Sequence, residues 1–115
     1  MPFYAGMFDG AELYFEKAVF FMQTDRKRCF GCASGRVQGV GFRYFVQSQS
    51  QLLGVTGWVK NMEDGTVTME LQGTTEQLAQ LTAKIRAGSF FIKVEQLQLQ
   101  DMVMVDGETS FEIRY

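Results

Sequence analysis

The stretch GRVQGVGFR, residues 35 to 43, carries three glycines, two arginines and no acid. None of its side chains is an obvious nucleophile, so its chemistry is that of a backbone. Gly35, Gly39 and Gly41 admit dihedral angles that side chains resist, which lets successive N–H groups converge on one point as an anion nest. A helix start just beyond adds unpaired amides and the positive end of the helix dipole. Arg43, in the first turn, can set a forked pair of charge-assisted hydrogen bonds on phosphate oxygens. By spacing alone a second reading stands level with this one: the glycines shape a strand-to-helix turn and Arg43 is a surface charge. The loop lacks the Gly-Lys-Ser/Thr of a nucleotide P-loop and the glycine spacing of a dinucleotide fingerprint, so nucleotide binding is not supported.

A second polar group belongs with the loop. Asn61 closes the run GWVKN just before Asp64-Gly65, and its amide both donates and accepts hydrogen bonds. A split βαβ sandwich would bring that strand end beside the loop.

The elements that must position these groups are legible in outline. Arg28 to Ser34 reads as a strand running into Gly35. Phe42, Phe45, Val46, Leu52 and Leu53 recur at helical spacing, with Gly54 as a stop. VTGWVKN (55–61) and TVTMELQG (66–73) are rich in β-branched and apolar residues and flank an Asp-Gly turn, the pattern of a hairpin. Thr74-Thr75-Glu76-Gln77 has capping-box spacing, and Leu78, Leu81 and Ile85 follow on one helical face before Gly88. Val94 to Val105 contains an alternating stretch, and Ser110 to Tyr115 is strand-like. The order βαββαβ with an extra terminal strand predicts an α+β fold, a ferredoxin-like split βαβ two-layer sandwich with an antiparallel sheet and two helices on one face.

Composition bounds the function. A chain of 115 residues, 46% apolar and 21% charged, suits one packed domain. The net charge of −2 argues against a nucleic-acid partner, which calls for a basic surplus. There is no histidine, the commonest metal ligand and acid–base group near neutral pH. No run of about 20 apolar residues suggests a membrane span. The pair Cys29 and Cys32 has redox spacing but falls within a predicted strand, where residues three apart point to opposite faces and a local disulfide is awkward. Free thiols in a reducing, cytoplasmic setting are expected. Trp58 reads as sheet packing, with a site-supporting role left open.

Residues 1–26 differ from the rest. Phe15, Val19 and Met22 fall at helical spacing, while Asp9, Glu12 and Glu16 equally suit a tail. The segment has no basic leader or small-residue cleavage site, so secretion is not indicated. It is treated as an appendage to a domain spanning 27–115, with Met22 a candidate natural start.

At this point the chain resembles a known family. Gly35 to Arg43, then Leu53-Gly54-Val55-Thr56-Gly57-Trp58-Val59-Lys60-Asn61, then Asp64-Gly65-Thr66-Val67, are similar to the acylphosphatase signature. The likeness covers nearly all of residues 27–115, including the closing Phe111-Glu112-Ile113-Arg114-Tyr115. It implies hydrolysis of a small-molecule acyl phosphate to carboxylate and inorganic phosphate, without metal or cofactor. It implies Arg43 as the phosphate-binding arginine and Asn61 as the residue that orients the attacking water. The backbone amides of Arg36, Val37, Gln38, Gly39, Val40, Gly41 and Phe42 would form the cradle. Inorganic phosphate or sulfate is the expected product-like ligand, and a monomer the expected state. The alternative is a non-catalytic phosphate-binding regulatory module. A carbamoyl-phosphate-handling domain of a larger maturation protein finds less support, since no further domain follows Tyr115.

Overall fold

The computed structural model describes residues 25–115. The helix-or-tail reading of Phe15, Val19 and Met22, and the candidate start at Met22, lie outside the described residues. The elements are β1 (Arg26–Arg36), α1 (Phe42–Leu53), β2 (Thr56–Asn61), β3 (Val67–Thr74), α2 (Thr75–Ala87), β4 (Lys93–Met102) and β5 (Phe111–Arg114). They form one sheet in the order β4-β1-β3-β2-β5, with the two helices packed on one face.

The four strands of the split βαβ core pair antiparallel, as expected. The terminal strand differs: β5 joins the outer edge of β2 in parallel, Gly57 opposite Phe111 and Lys60 opposite Arg114, so the sheet as a whole is mixed. Chain order alone does not say which edge a last strand will take. Here residues 103–110 carry the chain across the helix-free face to the β2 edge.

Sheet residues two apart share a face, so burial reads off the register. Cys29 and Ala33 of β1, Val67, Met69 and Leu71 of β3, and Val59 of β2 are buried beneath the helices. Phe42, Val46 and Ser50 of α1 and Leu78, Leu81 and Ile85 of α2 close the core from above. Each large apolar side chain buried in this way stabilises the fold by about 1.5–3 kcal/mol. Leu52 departs from the sequence reading. It is 77% exposed, because ten residues beyond Phe42 the helix has turned roughly 80° away from the core stripe, while Leu53 returns to it.

The predicted capping box forms. The Gln77 amide donates to Thr74 Oγ1 at 3.1 Å and the Thr74 amide to Gln77 Oε1 at 2.9 Å, satisfying two orphan donors at the start of α2. In the β2–β3 hairpin, Asp64 Oδ1 accepts from the Thr66 hydroxyl at 2.6 Å and from its amide at 3.0 Å. Those bonds hold the Asp64 carboxyl below its usual range. Gly57, at φ 142°, permits the closest approach in the sheet: a Cβ there would stand 1.8 Å from the Glu70 carbonyl oxygen.

The helix-free face is closed by one buried cation. Arg28, its side chain 2% exposed, donates to Glu70 at 2.8 Å, to both carboxylate oxygens of Glu108 at 2.8 and 3.2 Å, and to Gln72 Oε1 at 3.1 Å. Gln72 in turn exchanges hydrogen bonds with the Val105 backbone, at 2.9 Å in each direction. Burial alone would lower the Arg28 pKa and raise that of Glu108, but their hydrogen bonds to each other prevail and push each toward its charged form. Strand β4 stops at Met102, and Val103 to Val105, read as strand from the sequence, belong to this crossing segment instead.

Candidate active site

The turn between β1 and α1 leaves its amides free. Gly41 is the N-cap of α1 in the left-handed conformation, φ 79° and ψ 18°, with no side-chain cap and no acid in the first turn. Gly39 shares that conformation at φ 73°. The first hydrogen bond of the helix runs from the Phe45 amide to the Gly41 carbonyl at 3.0 Å. Among the described residues, the amides of Gln38 to Tyr44 donate to no other backbone or side-chain group. Unpaired donors at a helix N-terminus with nothing acidic against them form an electropositive seat.

Beside this turn lies a cavity of about 120 Å³ lined by Val37, Gly39, Gly41, Phe42, Arg43, Tyr44 and Asn61. That is the scale of a small ligand, since a cavity of roughly 150 Å³ holds a benzene. The space above Gly39 and Gly41 is open, with no atom within 4 Å of where a Cβ would project. Their glycine identity therefore answers to backbone angle rather than crowding.

Arg43 and Asn61, 18 positions apart in sequence, both line this cavity. The Arg43 guanidinium is steadied by the chain end: Nη1 donates to the Arg114 carbonyl at 3.4 Å, and the group lies over the Tyr115 ring, 4.9 Å from its centroid. Asn61 shares its strand face with Gly57 and Val59, toward the helices, and its Oδ1 is buried without a hydrogen-bond partner.

Of the loop positions expected to form the cradle, Val37, Gly39, Gly41 and Phe42 line the cavity. Arg36 sits at the end of β1 opposite Lys93, Val40 packs against the core, and Gln38 turns toward the β2–β3 hairpin. Tyr44 also lines the cavity; its signal in the sequence was its place among the first helical amides, which never have intrahelical partners. Trp58 faces away from the site, on the helix-free side, with the Arg114 guanidinium 4.8 Å from its ring centroid. Cys29 and Cys32 are unbonded; Cys29 is buried beneath the helices, where burial pushes its thiol pKa up.

Against known proteins the agreement is extensive. The acylphosphatase family model matches residues 29–113. An acylphosphatase of Clostridium acetobutylicum is 49% identical over 81 residues, covering 70% of this chain and 89% of that protein. The crystal structure of acylphosphatase from Bacillus subtilis superposes with a TM-score of 0.73 at 36% identity, covering 76% of this chain and 98% of that one. The structure of an acylphosphatase from Coxiella burnetii gives 0.74 at 29% identity, covering 81% and 97%. With the family model spanning most of its length, the chain belongs to the acylphosphatase family.

Proposed function

We propose that this chain hydrolyses the carboxyl–phosphate bond of a small-molecule acyl phosphate, with its catalytic unit in residues 27–115 and residues 1–26 as an extension. Arg43 and the loop amides from Arg36 to Phe42 hold the phosphate; Asn61 orients the attacking water. The single observation that carries this reading is that Asn61 lines the same small cavity as Arg43 and the unpaired glycine turn at the start of α1. A site for anion binding alone needs no neutral amide side chain beside the cradle, whereas an amide that both donates and accepts can hold a water.

The reaction suits so bare a site. Water oxygen forms a bond to phosphorus while the bond from phosphorus to the acyl oxygen breaks, its electron pair leaving with the carboxylate. The conjugate acid of that leaving group has a pKa of roughly 4, so it departs without a general acid. The water proton passes to a phosphate oxygen, and the products are carboxylate and inorganic phosphate. Phosphoryl transfer otherwise depends on in-line positioning and on stabilising charge on the equatorial oxygens. Oriented amides and one guanidinium meet both needs.

The chain acts as a monomer in the cytoplasm, and inorganic phosphate or sulfate competes with substrate for the cradle. Among the described residues no helix is long and apolar enough to cross a membrane. Release of phosphate from benzoyl phosphate by the purified chain tests the reading. Activity lost in both Arg43→Ala and Asn61→Ala is the expected result. Phosphate binding without turnover in the unchanged chain would replace the enzyme with an anion-binding module.

A further inference from the structure

The two halves of the site arrive on separate elements. The cradle and Arg43 belong to the segment joining β1 to α1, and Asn61 belongs to the end of β2. Catalysis by positioning demands a fixed distance between them, and while Val37, Val40 and Phe42 seat the loop on the core, its glycine turn has little to fix it toward β2. Its amides are unpaired, Gly39 and Gly41 are the most pliant residues available, and nothing packs over either.

One side chain spans the gap. Gln38 Nε2 donates to the Met62 carbonyl at 2.8 Å and to the Thr66 carbonyl at 2.8 Å. Those two oxygens form the neck of the β2–β3 hairpin, where the Met62 amide also donates to the Thr66 carbonyl at 2.9 Å. Met62 directly follows Asn61. Both acceptors are carbonyls, so only the NH₂ end of the Gln38 amide can face them, and both of its hydrogens are used. Sequence reading assigned Gln38 a backbone amide in the cradle; its side chain points the other way, to the strand end that carries the second half of the site.

We infer that Gln38 is a positioning residue: its side chain clamps the phosphate loop to the hairpin and so sets the distance from the bound phosphate to the water held by Asn61. The inference rests on the function proposed above. It separates binding from chemistry. Amides and Arg43 lie on one side of the clamp, so phosphate affinity survives its removal. The water lies on the other side, and a misplacement of about 1 Å between reacting groups costs on the order of 100-fold in rate.

The test uses Gln38→Ala and Gln38→Glu in the full chain; both keep the backbone amide. The second also keeps the shape of the side chain but sets acceptors against two carbonyls. Benzoyl phosphate turnover gives kcat, and competition by inorganic phosphate gives Ki. Expected is a fall in kcat of about 10- to 100-fold with Ki within about threefold of the parent, and a thermal midpoint lowered but well above the assay temperature. Because Gln38 acts through Asn61, the double variant Gln38→Ala/Asn61→Ala should be no slower than Asn61→Ala alone. A kcat within about threefold of the parent in both single variants overturns the inference, as does a Ki that rises in step with the loss of kcat. Multiplicative losses in the double variant overturn it too. Full activity in Asn61→Ala is a different outcome, since it removes the water-orienting reading itself and this inference with it.

Discussion

The guanidinium of Arg43 stacks on the ring of Tyr115, the last residue of the chain, at 4.9 Å from its centroid. The side chain proposed to hold the phosphate is thus steadied by a residue 72 positions away. Tyr115 is 84% exposed, and a cation–π contact at such a site contributes about 0.5–1 kcal/mol. Tyr115→Ala should therefore weaken phosphate inhibition roughly two- to fivefold while leaving the fold intact. Isothermal titration with phosphate, beside the circular dichroism spectrum, checks both halves.

Arg43→Lys is a sharper probe of the same group. Lysine keeps the charge but loses the planar fork that matches phosphate geometry. A charge-assisted hydrogen bond contributes about 1.5–3 kcal/mol, so kcat/KM should fall by roughly 10- to 150-fold. Loss of less than about threefold would show that charge alone suffices and that the fork has no part.

Arg28→Met should destabilise the fold without touching the chemistry, because the Arg28 network lies on the helix-free face of the sheet, away from the cavity. Methionine fills the space but leaves the carboxylates of Glu70 and Glu108 partly buried and unpaired. Removing one partner of a buried pair costs about 3–5 kcal/mol, and a domain of this size loses roughly 4–8 °C of Tm per kcal/mol. Differential scanning calorimetry should show a loss above about 10 °C, with benzoyl phosphate turnover at 25 °C unchanged wherever the variant remains folded.

The same network sets an acid limit. The Glu108 carboxyl is shifted down in the folded chain: burial opposes the shift, and the Arg28 hydrogen bonds impose it. A depressed carboxylate pKa means stability fully present above the unfolded value, near 4.5, and lost as pH falls from there through the folded value. Glu108→Gln should be less stable than the parent at neutral pH, and its stability should vary less with pH below about 4.5. Urea midpoints measured across that range decide it; parallel curves would rule out Glu108 as the source.

Two glycines should fail in different ways. At Gly57 a Cβ would overlap the Glu70 carbonyl oxygen, so Gly57→Ala must force β2 and β3 apart and should leave little folded protein. At Gly41 the space is open and only the left-handed backbone resists, at about 1–2 kcal/mol. Gly41→Ala should fold, with a modestly lower midpoint and weaker phosphate binding. Soluble yield and thermal melts of the pair check the contrast.

Much of the framework was legible because its signals are local. The capping box at Thr74 and Gln77, the Asp64-Gly65 turn, and the helical spacing of Leu78, Leu81 and Ile85 each act over four residues or fewer, or repeat with the pitch of the helix. Leu52 shows the limit of pattern reading. Its apolar character fits a stripe, but the rotation of the helix carries it into solvent while the polar Ser50 is buried.

What the sequence by itself determined was the family and the order of elements, because motif spacing, glycine dihedrals, capping and strand alternation are decided within a few residues. Tertiary structure decided the rest: β5 parallel to β2, Tyr115 beneath Arg43, Arg28 locked to Glu108 across 80 positions, and Gln38 bridging to Met62 and Thr66. The physical reason is common to all four. A hydrogen-bonding group in the chain has many potential partners of equal chemistry, and only the register of a closed sheet selects which of them comes within about 3 Å.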